Sequence, residues 1–229
     1  TPTEGKRMSR AIQGSPAAER RLALPAIGTP IAVLAAAGAV GVTVMWITLA
    51  ALDHRMSDAI IALAAASFAI MGAVLVVKRV ALPVGWILVI AGLSMASLGG
   101  SQEYARHTLE VSPGSLPAGD FAAWLSNWFP IVTNGLLFGV LPQLYPDGRL
   151  LSRRWRISLG AGIAFIVLAA TGNAFLPQDV EGLANVTNPY AIASLKPLFS
   201  LCILLSAPAG LVAVAGGIIS LVIRWRRTR

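Results

Sequence analysis

Six long apolar segments, separated by shorter polar stretches, constrain this chain more than any other feature of its sequence. They cover residues 31–52, 59–77, 83–98, 121–141, 157–176 and 197–223. A helix needs about 20 mostly apolar residues to cross the roughly 30 Å hydrocarbon layer of a bilayer. Only 12% of the 229 residues are charged, which is about half of the charged fraction of a soluble domain. The sequence therefore predicts an all-α integral membrane protein, a bundle of six transmembrane helices.

The fourth apolar segment has an ambiguous start. The stretch from Pro130 to Leu141 contains only 12 residues, too few to cross the hydrocarbon layer as a helix. A start at Phe121 gives sufficient length and puts Trp124 and Trp128 where tryptophans anchor a helix at the membrane interface. We therefore predict the longer segment, with a kink at Pro130.

The loop between the fourth and fifth segments orients the bundle. It contains the turn sequence Pro146-Asp147-Gly148 and then four arginines, at positions 149, 153, 154 and 156. Lys and Arg near the ends of spans stay on the cytoplasmic side. If this loop lies inside the cell, so do 15 of the 18 Lys and Arg residues. This pattern predicts a multi-pass protein of the plasma (inner) membrane with both termini in the cytoplasm.

The regions outside the bundle are short and basic. Residues 1–30 lack apolar periodicity and are predicted to form a mobile basic cytoplasmic tail. Residues 31–225 would form the transmembrane domain, and residues 226–229 the start of a cytoplasmic linker, so we interpret the chain as a piece of a longer protein. The net charge of +8 is explained by attraction to anionic lipid. The expected partner is the lipid bilayer, and nucleic acid is not expected.

The sequence contains no recognisable catalytic, cofactor or metal site. Its two histidines and one cysteine match no metal-ligand spacing, and the phosphate-binding pattern GxxxxGK[ST] is absent. The six predicted spans lack the ionisable residues that mark intramembrane transport pathways. We therefore assign no catalytic, cofactor-binding or metal-binding residue, and we leave open whether the protein is part of an enzyme.

One chemically varied group follows the third segment. It consists of Glu103, Tyr104, Arg106 and His107, and a prolonged helix would bring Glu103 and His107 to one face at i, i+4 spacing. Two interpretations stay open. The group could form a stimulus-binding surface, or it could be the solvated end of a helix.

A second candidate group closes the last segment. Trp225 lies between Arg224 and Arg226, and an interfacial Trp beside snorkelling arginines fixes how deeply a helix sits in the bilayer. This group is either an output anchor, which reports movement of the last helix, or an ordinary interfacial belt.

Several stretches occur in an order that is similar to the amino-terminal membrane region of sensor histidine kinases from actinobacterial two-component systems. The similarity covers most of residues 83–229. These stretches are Gly85-Trp86-Ile87-Leu88, Glu103-Tyr104-Ala105-Arg106, residues 113–117, residues 122–128, residues 144–150, Asn188-Pro189 and the terminal Arg-Trp-Arg-Arg.

The resemblance implies a signal-input domain that relays a stimulus through the last span to a cytoplasmic kinase region. A response regulator would interact only with that kinase region. The sequence leaves open whether the chain forms a homodimer. The alternative is a small stand-alone membrane protein that serves as a subunit of a transporter or another membrane assembly.

Overall fold

A computed structural model describes residues 16–53, 59–78 and 82–227. Six long helices account for most of these residues: α1 (Pro16–Leu52), α2 (Ala59–Val77), α3 (Leu82–Arg106), α4 (Gly119–Asn134), α5 (Arg156–Phe175) and α6 (Lys196–Arg227). Within the described ranges, the only β-type pairing is an isolated bridge between Asp179 and Thr187. The all-α prediction is confirmed.

Shorter helical pieces extend or precede four of these helices. Helix α3 continues into a π-helical turn, His107–Val111, and α4 continues into a π-helical stretch, Gly135–Val140, and then an α-turn, Leu141–Leu144. The 3₁₀ turns Arg153–Trp155 and Ala193–Leu195 lead into α5 and α6. The prolonged helix that we predicted after the third segment is therefore present, ending at Val111.

Five of the helices are long and apolar enough to cross a bilayer. Their candidate spans, found within the described ranges, are 28–52, 60–77, 83–111, 153–175 and 193–227. These five helices indicate a membrane protein. The predicted fourth span is not among them, since the regular part of α4 has only 16 residues before the π-helical stretch begins. The sixth span stays a prediction.

The amino-terminal region differs from its prediction. Residues 16–30 were expected to belong to a mobile tail. They are instead helical, and α1 begins at Pro16. Proline is well suited to the first turn of a helix, and residues 17–24 are Ala, Glu, Arg and Leu, all strong helix formers. The remainder of the predicted tail, residues 1–15, lies outside the described residues, as do residues 54–58 of the turn after α1 and Arg79.

The first three helices pack closely through small residues. Their shared core consists of Ala32, Ala36, Ala39, Ala65, Ala69, Ala73, Val76, Val89 and Ala96. Gly92 of α3 lies so near α2 that an added Cβ would stand 2.7 Å from the carbonyl oxygen of Ala65. Small residues let helix backbones approach in this way.

The second group of helices is joined to the first through α3 and α4. Helix α4 packs against α3 on one side and α5 on the other, and α6 packs mainly against α5 and the 135–144 region. Helix α6 runs to Arg227, four residues beyond the predicted end of the last segment. The last helix therefore contacts mainly the second group.

Candidate functional site

Four ionisable side chains meet where α1 ends and α3 passes into its π-helical turn. Arg106 Nη2 lies 3.3 Å from Asp53 Oδ2 and also contacts Glu103 Oε1. His107 Nδ1 lies 3.2 Å from Asp53 Oδ1. We call Asp53, Glu103, Arg106 and His107 the charge cluster. It connects the carboxyl end of α1 to that of α3.

The charge cluster is largely withdrawn from solvent. The side chains of Asp53, Glu103 and Arg106 are 5%, 9% and 8% exposed, and that of His107 is 19% exposed. Burial of a charged group costs several kcal/mol unless an opposite charge compensates it. Here the guanidinium lies between two carboxylates, so each of the three charges has a partner. The arrangement holds α1 and α3 together and contains no nucleophile paired with a base.

The structure changes the sequence-based picture of this group. Glu103 and Arg106 are buried, so the interpretation as a solvated helix end is wrong for these two residues. Glu103 pairs with Arg106 at i, i+3 instead of with His107 at i, i+4. Asp53, which the prediction did not include, joins them from 53 residues away in sequence. A role in binding a stimulus stays a prediction.

Tyr104, the fourth residue of the predicted group, is not part of the charge cluster and has a different partner. Its hydroxyl donates a hydrogen bond to the carbonyl oxygen of Pro117, at 2.8 Å, and so ties the loop before α4 to α3. Thr108, which is buried, donates to the carbonyl oxygen of Tyr104 at 2.9 Å. The end of α3 and the loop after it therefore form one packed unit.

The loop between α5 and α6 folds onto the same unit. Val180 and Leu183 are buried with Ala105, Ala122 and Ala123. Gln102 Nε2 donates to the carbonyl oxygen of Glu181 at 3.2 Å, and the backbone N–H of Ala184 donates to Glu110 Oε1. We call residues 107–118 and 177–195 together the cap, since they cover one end of the bundle.

Asn188, one of the residues that carries the resemblance, holds the cap on the end of α5. Its Nδ2 donates to the carbonyl oxygens of Ala174 and Leu176, both at 3.0 Å, and its Oδ1 accepts from the backbone N–H of Tyr190 at 3.1 Å. Because Asn188 is only 5% exposed, these bonds satisfy a buried amide. The sequence named Asn188 only as part of the resemblance and predicted no structural role for it.

Aromatic rings surround the same end of α4 and α5. The Trp124 ring lies 5.6 Å from that of Trp128 and 5.3 Å from that of Tyr190, measured between centroids. Trp124 Nε1 also donates to the carbonyl oxygen of Ala174 at 2.8 Å. The two tryptophans predicted as interfacial anchors thus belong to an aromatic cluster, and their position in a bilayer stays a prediction.

The opposite end of the bundle contains the predicted output anchor. Arg224 Nη2 donates to the carbonyl oxygen of Gln143 at 3.2 Å and to that of Arg149. Trp225 is 56% exposed, and Arg226 is exposed as well. Arg224 is therefore held by the α-turn Leu141–Leu144 and the loop that follows it, whereas the prediction treated it as a snorkelling side chain. Its role as an output anchor stays a prediction.

The described residues contain no group of three or more His, Cys, Asp or Glu side chains arranged to hold a metal ion. Compared with known proteins, the chain matches no family model, no curated protein and no solved structure. The resemblance to sensor kinases therefore stays a hypothesis that rests on the short stretches named above.

Proposed function

We propose that this chain is the membrane signal-input domain of a two-component sensor histidine kinase. In this proposal the cap receives the stimulus, and α6 relays the response to a cytoplasmic kinase region that follows it. The ordered series of stretches similar to actinobacterial sensor kinases supports the proposal, and so does the way in which α6 connects the two ends of the bundle.

The observation that carries the proposal is that α6 contacts both ends. Near its start, the Phe199 ring lies 5.6 Å from that of Phe175, which in turn lies 6.3 Å from the Trp124 ring beneath the cap. Near its end, Arg224 binds the carbonyl oxygens of Gln143 and Arg149. The 26 residues from Phe199 to Arg224 correspond to about 39 Å of helix at about 1.5 Å per residue. One continuous helix thus reaches from the cap to the opposite end.

A relay of this kind requires a bundle with two packings that differ in their affinity for the stimulus. The charge cluster is suited to favour one packing, because its ion pairs hold the ends of α1 and α3 together only while Asp53 faces Arg106. Residues at the end of α3 also contact α4 and the cap loop before α6, through Ala105 and Gln102. A stimulus at the cap would therefore act on both groups of helices.

We also propose that residues 119–144 form a sixth span and that both termini are cytoplasmic. Residues 102–110 contact residues 181–184, so the end of α3 and the end of α5 lie on the same side of the membrane. Helix α5 must then begin on the opposite side, and the chain between α3 and α5 must cross. The 26 residues from 119 to 144 give about 39 Å of helix at about 1.5 Å per residue, enough for the crossing. The basic residues orient the bundle and favour the plasma membrane.

The signalling proposal can be tested by joining residues 1–229, in helical phase, to the dimerisation and catalytic region of a histidine kinase. Basal autophosphorylation would be measured in membranes for the unchanged domain, for Arg224→Gln and for Arg227→Gln. We expect Arg224→Gln to change the basal rate severalfold and Arg227→Gln, at an exposed position of the same turn, to leave it near the starting value. Equal rates in all three fusions, with equal membrane insertion, would contradict the relay and favour a stand-alone membrane subunit.

A further inference from the structure

An apolar cavity of about 450 Å³ lies between the π-helical stretch after α4, α5 and α6. The residues that line it include Asn134, Phe138, Phe165, Ala207, Gly210 and Leu211. All but Asn134 are apolar. Pockets of about 300–1,000 Å³ are the size that binds small molecules, so this cavity is large enough to hold one.

The cavity lies at the middle of the helices. Phe165 is at the centre of α5 (Arg156–Phe175), and Gly210 is near the centre of α6 (Lys196–Arg227). The two positions are adjacent, because a Cβ added to Gly210 would stand 2.8 Å from a ring carbon of Phe165. In a bilayer this depth is the hydrocarbon layer, about 15 Å from the nearest polar headgroups.

Asn134 is the polar residue among those that line the cavity. Its side chain is exposed and forms no hydrogen bond within the part of the chain that the structure describes. The other asparagines of α4 and α5 differ, since Asn127 donates to the carbonyl oxygen of Asn173 and Asn173 donates to that of Ala169. An amide without a partner in hydrocarbon costs several kcal/mol. Asn134 therefore needs a partner from outside the residues that the structure describes.

The local backbone keeps the space open. Helix α4 changes to π-helical hydrogen bonding at Gly135, directly beside Asn134, and such stretches are rare and frequent at functional sites. Gly135 is packed against Ile166, so the helices meet at one side of the cavity. Gly210 lines the cavity on α6 and has no side chain that could fill it.

We propose that this cavity binds a lipid-soluble molecule with a hydrocarbon body and one polar group, a carbonyl or a hydroxyl, that hydrogen-bonds to the Asn134 amide. A phospholipid acyl chain fits the apolar walls, but its polar groups lie at the interface and leave Asn134 without a partner. A second copy of the chain could supply an amide to Asn134, but it would bring a helix surface to a concave site between three helices. The inference concerns binding alone and does not depend on the signalling proposal.

The test uses the full chain in phosphatidylcholine nanodiscs and two photoreactive probes. One is a long-chain ketone that carries a diazirine, and the other is the matching alkane diazirine without the carbonyl. Labelled residues are identified by mass spectrometry over a range of probe concentrations. Ala207→Phe fills the cavity, and Ala215→Phe makes the same change at an exposed position of α6 outside the residues that line it. Asn134→Leu replaces the amide by an apolar side chain with the same branching at Cγ.

We expect saturable labelling of cavity residues by the ketone in the unchanged protein and in Ala215→Phe, and at least tenfold weaker labelling in Ala207→Phe. The ketone should label the cavity about three- to tenfold more strongly than the alkane, the range of a hydrogen bond within a membrane, and Asn134→Leu should abolish this difference. Labelling that does not saturate, or is equal in both phenylalanine variants, would overturn the proposal. So would equal labelling by ketone and alkane in the unchanged protein, or efficient disulfide dimers of Asn134→Cys in a Cys202→Ser background, which would identify a second copy as the occupant.

Discussion

Arg224 Nη2 donates a hydrogen bond to the carbonyl oxygen of Gln143 at 3.2 Å, across 81 positions of sequence. Gln143 lies in the last turn of the helical region that begins with α4, where carbonyl groups have no partner within their own helix. A cation at this end also interacts favourably with the helix dipole. The last helix of the bundle thus caps another helix through a side chain near its own end.

Arg224→Gln should therefore destabilise the bundle. The change removes charge-assisted hydrogen bonds to two carbonyl groups, and each such bond contributes about 1.5–3 kcal/mol. Since the bond to Arg149 is exposed to solvent, we expect the free energy of unfolding in mild detergent to fall by about 1–3 kcal/mol, the contribution of the bond to Gln143, measured by circular dichroism during denaturant titration. Arg226→Gln is the matched control and should change stability by less than about 0.5 kcal/mol. Equal losses for both variants would mean that the contact with Gln143 is unimportant.

Helix bounds were predictable where an apolar run ends at polar residues. Helix α2 occupies residues 59–77, and α5 (Arg156–Phe175) lies within one residue of the predicted segment 157–176. Where a helix continues beyond the apolar run, its end could not be read in this way. Helix α1 extends back to Pro16 and α3 forward to Arg106, because helix formation there depends on propensity and packing instead of hydropathy.

Contacts across long sequence separations escaped prediction for a different reason. No local pattern links Asp53 to Arg106. The predicted six-span topology implies that both lie on the same side of the membrane, and this was the one signal that could have paired them. Val180 and Leu183 sit singly among polar residues, so their burial in the cap was not apparent. The π-helical stretch beside Asn134 also follows from packing between helices, which composition does not encode.

The charge cluster predicts a strong effect of Arg106→Gln. This change leaves the Asp53 and Glu103 carboxylates buried without their cation, and loss of one partner from a buried ion pair costs about 3–5 kcal/mol. Adding Asp53→Asn should restore part of the loss, since it removes one of the two unpaired charges. Denaturant titration of the single and double variants gives the coupling between the residues. Additive losses would contradict a direct interaction, and Lys196→Gln, at an exposed position, serves as the neutral control.

Close packing of α2 on α3 predicts that Gly92 tolerates no side chain. An added Cβ would stand 2.7 Å from the carbonyl oxygen of Ala65 and 2.9 Å from the Cα of Ala69, and backbone atoms cannot move aside as a side chain can. Gly92→Leu should lower the free energy of unfolding by about 3 kcal/mol or more, at the upper end of overpacking effects. Gly38→Leu is the control, because nothing lies within 4 Å of its Cβ position. Similar midpoints of thermal unfolding for the two variants would contradict this packing.

The cap should loosen when Asn188 loses its amide. Asn188→Ala leaves the carbonyl oxygens of Ala174 and Leu176 without this donor, at a cost of about 1–3 kcal/mol for buried groups. Amide hydrogen exchange across residues 177–195 should become faster, while exchange in α2 stays unchanged. Thr187→Ala, at an exposed neighbouring position, should alter neither region. Unchanged exchange in the cap of Asn188→Ala would show that other contacts hold this loop.

The sixth span makes the sharpest prediction about topology. Ser115 and Ser152 are both exposed and lie on either side of residues 119–144, so they fall on opposite sides of the membrane only if that segment crosses. With Cys202 replaced, a cysteine at 115 should react with an impermeant thiol reagent in intact cells, and a cysteine at 152 only after the cells are permeabilised. Reaction of both in intact cells would leave five spans, and the contact of Gln102 with Glu181 would then have to be wrong, since α5 would begin on the side where α3 ends. Reaction at 152 alone would keep six spans but reverse their orientation, against the distribution of 15 of the 18 basic residues.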